Sequence, residues 1–250
     1  MSFVHLHVHT QYSILDGLSS IGKLFDRADE LGMPGLAITD HGNMYGIKEF
    51  FKFAKKHPNV KPIIGCEVYV TRHYDHRIKD NDHRKYYHLI LLAKNYDGYK
   101  NLMKIVSTGH IEGMYYGKPR VTHEIIEQFH ENLICCSACL AGEVPKGIME
   151  NNIEASREAI RWHKRVFGED YYLEVQLHQS EVPGLSTDVY DNQVIVNEEI
   201  FKLAEEEGVK VVATNDVHFV EKEDGPAHDR LICLTTNSMV DDPNRMRYTQ

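Results

Sequence analysis

"GLAITDHGNMYGIKEFFKFAKKHPNVKPIIGCEVYV", residues 35–70, holds the decision about the fold. An apolar, β-rich run at 35–40 is followed by a helical pattern at 44–57 and a second β-rich run at 62–70. A strand, a crossover helix and another strand make the unit that builds parallel sheets. Outward from it, further strands are predicted at 3–9, 86–93, 132–138, 171–177 and 209–215. Helices are predicted at 19–32, 96–110, 122–130, 152–167, 187–207 and 224–234. They rest on apolar spacing such as Ile195, Ile200, Leu203 and Ala204, and on the stops Gly32 and Gly208. Seven strands interspersed with helices point to an α/β chain folded as a seven-stranded (β/α) barrel rather than an open sheet. The polar stretch "TRHYDHRIKDNDHRK" (71–85) reads as a long loop or hairpin. No repeat or low-complexity tract interrupts the pattern.

The chain has 250 residues, 42% hydrophobic and 26% charged, which suits one sizeable core. No apolar run reaches the ~18 residues of a membrane span, and the N-terminus lacks the basic-then-apolar order of a signal peptide. Five cysteines (Cys66, Cys135, Cys136, Cys139 and Cys233) form no disulfide framework, so a reducing, cytoplasmic setting is expected. The net charge is −9, from 28 Lys and Arg against 37 Asp and Glu. An acidic surface is a poor general clamp for phosphate backbones. A nucleic-acid substrate would therefore need metal ions or neighbouring domains to supply the attraction.

Sixteen histidines are the outlier, several of them inside strand-like runs. In "HLHVH", His5, His7 and His9 alternate and so share one strand face. They are either core histidines with backbone partners or the start of a metal site, since same-face imidazoles suit a metal. Asp40 and His41 end the second strand, where Asp40 fits equally a helix N-cap. Glu67 and His88 interrupt apolar strands, and a carboxylate there needs a cation. Cys139 follows the fifth strand, while Cys135 and Cys136 read as small core residues. Asp216 and His218 follow the seventh.

In order, "HLHVHT…SILDG…ITDHGNM…GCEVYV…HLILLAKN…SACLAGE…YLEVQ…VATNDVHF…AHD" resembles the polymerase and histidinol phosphatase (PHP) domain family across nearly the whole chain. "GLAITDHGNMYG" and "GYKNLMKIVS" bring it closest to the branch at the N-terminus of bacterial replicative DNA polymerase alpha subunits. The resemblance implies a distorted seven-stranded TIM-like barrel holding two to three divalent metal ions. It matches His7, His9, Glu67 and Asp216 to one metal, Glu67, His88 and Cys139 to a second, and Asp16, His41 and His218 to a third. Elsewhere in the family positions 16 and 139 are also His, and some polymerase relatives have lost ligands and fallen silent; here all nine positions hold ligand-competent side chains. His5 and Asp40 have supporting roles at most. Mixed imidazole, carboxylate and thiolate ligands suit zinc best, then manganese or iron.

The expected activity is metal-dependent phosphodiester hydrolysis, and the resemblance adds the substrate, a single-stranded or frayed DNA 3′ end trimmed by a 3′→5′ proofreading exonuclease. A small-molecule phosphomonoesterase would need a dedicated cation, for which Arg120 is the nominee. A structural domain that steadies the polymerase and docks a separate proofreading subunit is the non-enzymatic alternative. Residues 1–235 are expected to form the phosphoesterase domain, with 236–250 leading towards polymerase domains of the same parent chain. Replisome subunits are further expected partners, and no membrane is.

Overall fold

The computed structural model describes residues 3–14, 16–72, 74–179, 188–242 and 245–247. Residues 73 and 187, and 243–244 and 248–250 of the expected connection, lie outside them. After an irregular segment at 4–10 come α1 (Ile21–Glu30), β1 (Gly35–Ile38), α2 (Ile47–Ala54) and β2 (Lys61–Thr71). β3 (Tyr87–Ala93), α3 (Tyr96–Ile111), β4 (Met114–Tyr115), β5 (Lys118–Thr122), α4 (His123–Gln128) and β6 (Leu133–Cys136) follow. The described order ends with α5 (Glu143–Met149), α6 (Ile153–Phe167), β7 (Tyr171–Val175), α7 (Asp188–Glu207), β8 (Lys210–Ala213) and α8 (Gly225–Thr236).

The unit at 35–70 forms as read: β1 and β2 pair in parallel from Gly35–Lys61 to Ile38–Ile64. From β2 the sheet continues through β3, β6, β7 and β8. Its two outer strands both reach the N-terminal segment. Ala37 N–H donates to His5 O (2.9 Å) and Thr39 N–H to Val8 O (2.9 Å). On the other side Val217 N–H donates to His7 O (3.1 Å) and His9 N–H to Val217 O (2.7 Å). Counting that segment, seven strands make a distorted TIM-like barrel.

Four features depart from the sequence reading. Residues 3–9 hold only isolated bridges, His5–Leu36 and Val8–Val217, rather than a ladder. Leu6 packs in the barrel interior while Val8 packs against α1, so the strict alternation fails. β3 runs antiparallel to both β2 and β6, which makes 72–86 a hairpin connection and removes the need for a crossover helix. A short β4–β5 hairpin adds β5 alongside the upper end of β2. Helix α5 falls where the sequence reading places no helix; its Pro145 lies in the first turn, where a missing N–H costs no helical bond.

Outward residues of the strands, Cys66, Val68, Val70, Leu89, Leu91, Leu133, Cys135 and Leu173, join α3, α6 and α7 in the main core. Inside the barrel a smaller cluster, Ala37, Ile90, Leu92, Cys136 and Ala138, fills one half. Cys135 and Cys136 thus pack as apolar residues, as the sequence suggested. Above them the interior turns polar.

Candidate metal centre

Four of the strands are followed closely by polar residues. Asp40 and His41 follow β1, Cys139 follows β6, Gln176 follows β7, and Asp216 and His218 follow β8. Freed from the ladder, these side chains turn over the barrel mouth. His88 is the second residue of β3, but because β3 is antiparallel it pairs with Tyr69 near the end of β2, two residues from Glu67. Glycines follow two of the candidates. A Cβ on Gly17 would lie 1.9 Å from Thr10 O, so the turn carrying Asp16 closes only with glycine. Gly42, after His41, has φ +59° and Pro119 2.6 Å from where a Cβ would sit.

All nine sequence candidates form one connected cluster. His7 Nε2 lies 3.1 Å from His9 Nε2, 3.0 Å from Asp216 Oδ1 and 3.3 Å from Glu67 Oε1. His9 Nε2 is 3.1 Å from the same Asp216 oxygen. Glu67 also meets His88 Nδ1 at 2.8 Å and His41 Nδ1. His41 Nε2 is 2.9 Å from Asp16 Oδ2, and Cys139 Sγ is 3.8 Å from His88 Nδ1. The His218 ring stacks on His9 with centroids 4.4 Å apart. Three sets of ligand atoms lie within 4.8 Å of one another: His7, His9 and Asp216; His41, Glu67 and His88; and His9, His41 and His218.

The hydrogen-bond network assigns the tautomers of the two deepest histidines. His7 Nδ1–H donates to Glu174 Oε1 at 2.7 Å. Ser13 donates its hydroxyl to Asp40 Oδ1 (2.8 Å), so it must accept from His9 Nδ1–H (2.9 Å). Both Nε2 lone pairs then face each other and the carboxylate oxygen of Asp216. Glu67 Oε2, Asp216 Oδ1 and Asp16 Oδ1 are buried with no hydrogen-bond partner. Such a gathering of acceptors requires positive charge at its centre.

Protons meet that need when no metal does. Burial would depress His7, yet Asp216 and Glu174 hold it well above its ordinary value. Burial likewise opposes the charge on His41, but Glu67 and Asp16 raise it to about 10. His9, buried beside His41 and His218, falls to about 3 and stays neutral. Burial opposes ionisation of Glu67 and Asp216, but histidines hold both well below the usual carboxylate range: His88 and His41 for Glu67, His7 and His218 for Asp216. Burial pushes the Cys139 thiol up, with Asp216 and Glu67 adding to it. A divalent ion would take the place of the protons and turn that thiol into a thiolate.

Around this cluster lies a supporting layer. Asp40 caps no helix; it accepts Thr10 N–H (2.6 Å), the Thr10 hydroxyl (2.8 Å) and Ser13, and so orients His9. His228 Nε2 donates to Asp16 O at 2.7 Å. Glu174, Ser13 and His228 were missed from sequence, although Glu174 in "YYLEVQL" carries the signal that singled out Glu67, a carboxylate in an apolar strand. His5 packs edge-on against Phe3 (4.9 Å). Arg120 corrects an expectation. It lies in β5, buried, and its guanidinium donates to the carbonyls of His83 (2.6 Å), His76 (3.0 Å) and Ile78 (2.8 Å). Those bonds spend the cation inside the fold, out of reach of a phosphate. Backbone strain gathers here too, with Ala138 (φ +63°) and Asp216 (φ +48°) in the left-handed region at ~1–3 kcal/mol each.

A PHP domain family model matches residues 5–178. The DNA polymerase III subunit alpha of Borreliella burgdorferi is 44% identical over 246 residues, covering 98% of this chain and 20% of that protein. Its counterpart in Treponema pallidum is 45% identical over 252 residues, covering 99% and 20%. The chain thus spans about a fifth of the length of these curated relatives. Among solved structures, an amidohydrolase from Chromobacterium violaceum aligns with a TM-score of 0.52 over 88% of this chain and 89% of its own, at 14% identity, a likeness of fold alone.

Proposed function

Because the chain belongs to the PHP domain family, we propose that its barrel mouth is a multinuclear metal centre that hydrolyses phosphodiesters, acting as the 3′→5′ proofreading exonuclease of a replicative DNA polymerase. The observation that carries this reading is the meeting of two imidazole lone pairs and a carboxylate oxygen around one point, His7 and His9 Nε2 with Asp216 Oδ1, all 3.0–3.1 Å apart. Ligands of a tetrahedral ion at ~2.0–2.1 Å stand about 3.3 Å from one another, so the donor set fits a metal of zinc's kind with little adjustment.

In this reading His7, His9, Glu67 and Asp216 hold one ion, Glu67, His88 and Cys139 a second, and Asp16, His41 and His218 a third. The set of His7, His9 and Asp216 supports the first of these groups, whereas the other two sets cut across the division, placing His41 with Glu67 and His88, and His9 with His41 and His218. Zinc suits the thiol best, with manganese or iron as substitutes. When bound, such ions supply a nucleophile from water at neutral pH and charge stabilisation for an in-line phosphoryl displacement.

The chain's own residues set access and order. His7 and Glu67 are fully enclosed, whereas the side chains of Asp16, His41, His88 and Asp216 are 20, 15, 17 and 14% exposed and line the open side. Substrate phosphate would meet that rim. Glu174 and the Ser13–Asp40 pair keep the His7 and His9 lone pairs turned inward. Tyr86, stacked parallel to His88 at 6.0 Å, stands where a terminal base could rest. With Arg120 enclosed, the dedicated cation of a small-phosphate pocket is lacking there, which favours a diester over a metabolite monoester.

The proposal extends to organisation. Residues 1–235 would be the hydrolase unit, 236–250 the lead towards polymerase domains, and the frayed primer and replisome subunits its partners. No helix among the described residues is long and apolar enough to cross a membrane, and all five cysteines are unpaired, in keeping with the cytoplasm. The test is release of nucleotides from a 3′-labelled primer by zinc- or manganese-loaded protein, beside a small phosphomonoester. The parent should cleave the primer, and His9→Ala and Asp216→Asn should not. Cleavage of the monoester alone would assign the metabolite chemistry. Failure on both substrates by fully loaded protein would leave the scaffolding role that docks a separate proofreading subunit.

A further inference from the structure

Away from the barrel mouth, a fourth set of ligand atoms converges among the described residues: those of His123, Glu143 and His163 lie within 4.8 Å of one another, and all three residues are buried. His123 opens α4, Glu143 opens α5 and His163 lies within α6, so three separate helices supply them. We propose that this triad is a second, structural metal site, set in the helix layer and taking a divalent ion of zinc's chemistry.

The geometry is near what such an ion needs. His123 Nε2 and Glu143 Oε2 stand 3.1 Å apart, against about 3.3 Å for two ligands of a tetrahedral zinc. His163 donates Nδ1–H to Ala159 O at 2.8 Å, which leaves the lone pair on Nε2. That nitrogen is buried and has no hydrogen-bond partner, and the residue is only 1% exposed. A wholly enclosed imidazole nitrogen without a partner is uncommon in a folded protein and expensive. Burial drives the His163 imidazole down to about 4 against the pull of Glu143, so it stays neutral and able to ligate.

The alternative, a purely hydrogen-bonded triad, satisfies His123 and Glu143 but leaves His163 Nε2 unused. A cation uses all three. Ring stacking fixes both imidazole planes, Trp162 against His123 at 3.8 Å and Tyr171 against His163 at 5.0 Å. The charge balance also has room for the ion. Arg72 bonds Glu143 (3.0 Å) and also Glu158 (3.0 Å), so one cation faces two carboxylates before any metal enters. Arg72 holds Glu143 Oε1 and turns Oε2 towards the imidazoles; water would complete the coordination. Glu143 lies four residues after Cys139, and the loop between them bridges His88 at Gly142. An ion there would fasten the base of the loop that presents Cys139 to the barrel mouth.

The site does not depend on the function proposed for the barrel mouth, and the experiment separates the two. Crystals of the chain grown with a small molar excess of zinc are examined by anomalous scattering at the zinc edge. We expect a peak ~2 Å from His123 Nε2, Glu143 Oε2 and His163 Nε2. Peaks in the barrel mouth with none in the helix layer at saturating zinc would overturn the proposal, whereas the reverse pattern would overturn the barrel-mouth reading instead. In solution His163→Gln should bind about one zinc fewer than the parent and lose part of the zinc-induced rise in Tm, with primer cleavage retained. Equal zinc content in parent and variant would contradict the site. Should His163→Gln not fold, His123→Gln makes the same comparison, and the diffraction experiment needs no variant.

Discussion

Glu174→Gln is the substitution that bears most closely on how the barrel mouth is organised. Glu174 touches no substrate in this account and acts only through His7, whose Nδ1–H it accepts at 2.7 Å in an enclosed setting. Its Oε1 also accepts from Gln176 (2.9 Å) and Thr214. Glutamine keeps the shape and an acceptor oxygen but removes the charge. A hydrogen bond to a charged group contributes about 1.5–3 kcal/mol and a neutral one about 0.5–1.5, so the loss is about 1–2 kcal/mol. At 1.4 kcal/mol per tenfold this is about 5- to 30-fold in metal affinity, overlapping the ~10–100-fold found when a histidine ligand loses its carboxylate partner. Competition with a chromophoric chelator measures it, and Tm in excess chelator reports any general loss of stability. An affinity within about twofold of the parent would refute the positioning role. An affinity loss matched by an equal loss of metal-free stability would make Glu174 a packing residue instead.

Two further outcomes follow from the charges. Without metal, His7 and His41 carry protons at pH 7, His41 up to about 10, and Cys139 is a thiol, so filling the centre must expel about three protons. Affinity should therefore rise from pH 6 to pH 7 by up to about tenfold for each proton expelled, and a flat profile would contradict these protonation states. The raised histidines also stabilise the metal-free fold. That contribution is complete below the ordinary imidazole value of 6.5 and disappears as pH climbs through about 10, so chelator-treated protein should melt at lower temperature at pH 10 than at pH 7. Arg120→Leu should destabilise the fold by about 3 kcal/mol or more, since two or more charged hydrogen bonds vanish at about 1.5–3 kcal/mol each. A normally stable Arg120→Leu protein with weakened substrate binding would restore it as a phosphate anchor.

Much of this was written in the chain. Alternation and apolar runs disclosed all seven barrel strands, and polar residues at their ends disclosed the mouth. What escaped depended on pairing, which local pattern does not encode. His88 looks like the wrong end of its strand until β3 is seen to run antiparallel. The irregular 4–10 segment breaks the period-two rule, with Leu6 inside the barrel and Val8 against α1, yet His7 and His9 still meet at their Nε2 atoms. Asp16 had no local pattern and entered only through family resemblance. Glu174 was legible by the same logic as Glu67 and was passed over. His123, Glu143 and His163 share no strand, helix or spacing, so only packing of three helices brings them together.

Metal content remains the most direct measurement of the central claim. Elemental analysis of the purified chain, after dialysis and again after exposure to zinc or manganese, should find about two to three ions for the barrel mouth. The proposed helix-layer site would add one, and Asp216→Asn should lower the total without touching it. A parent protein holding less than about half an equivalent even after exposure to metal, or an Asp216→Asn protein holding as much as the parent, would contradict the account.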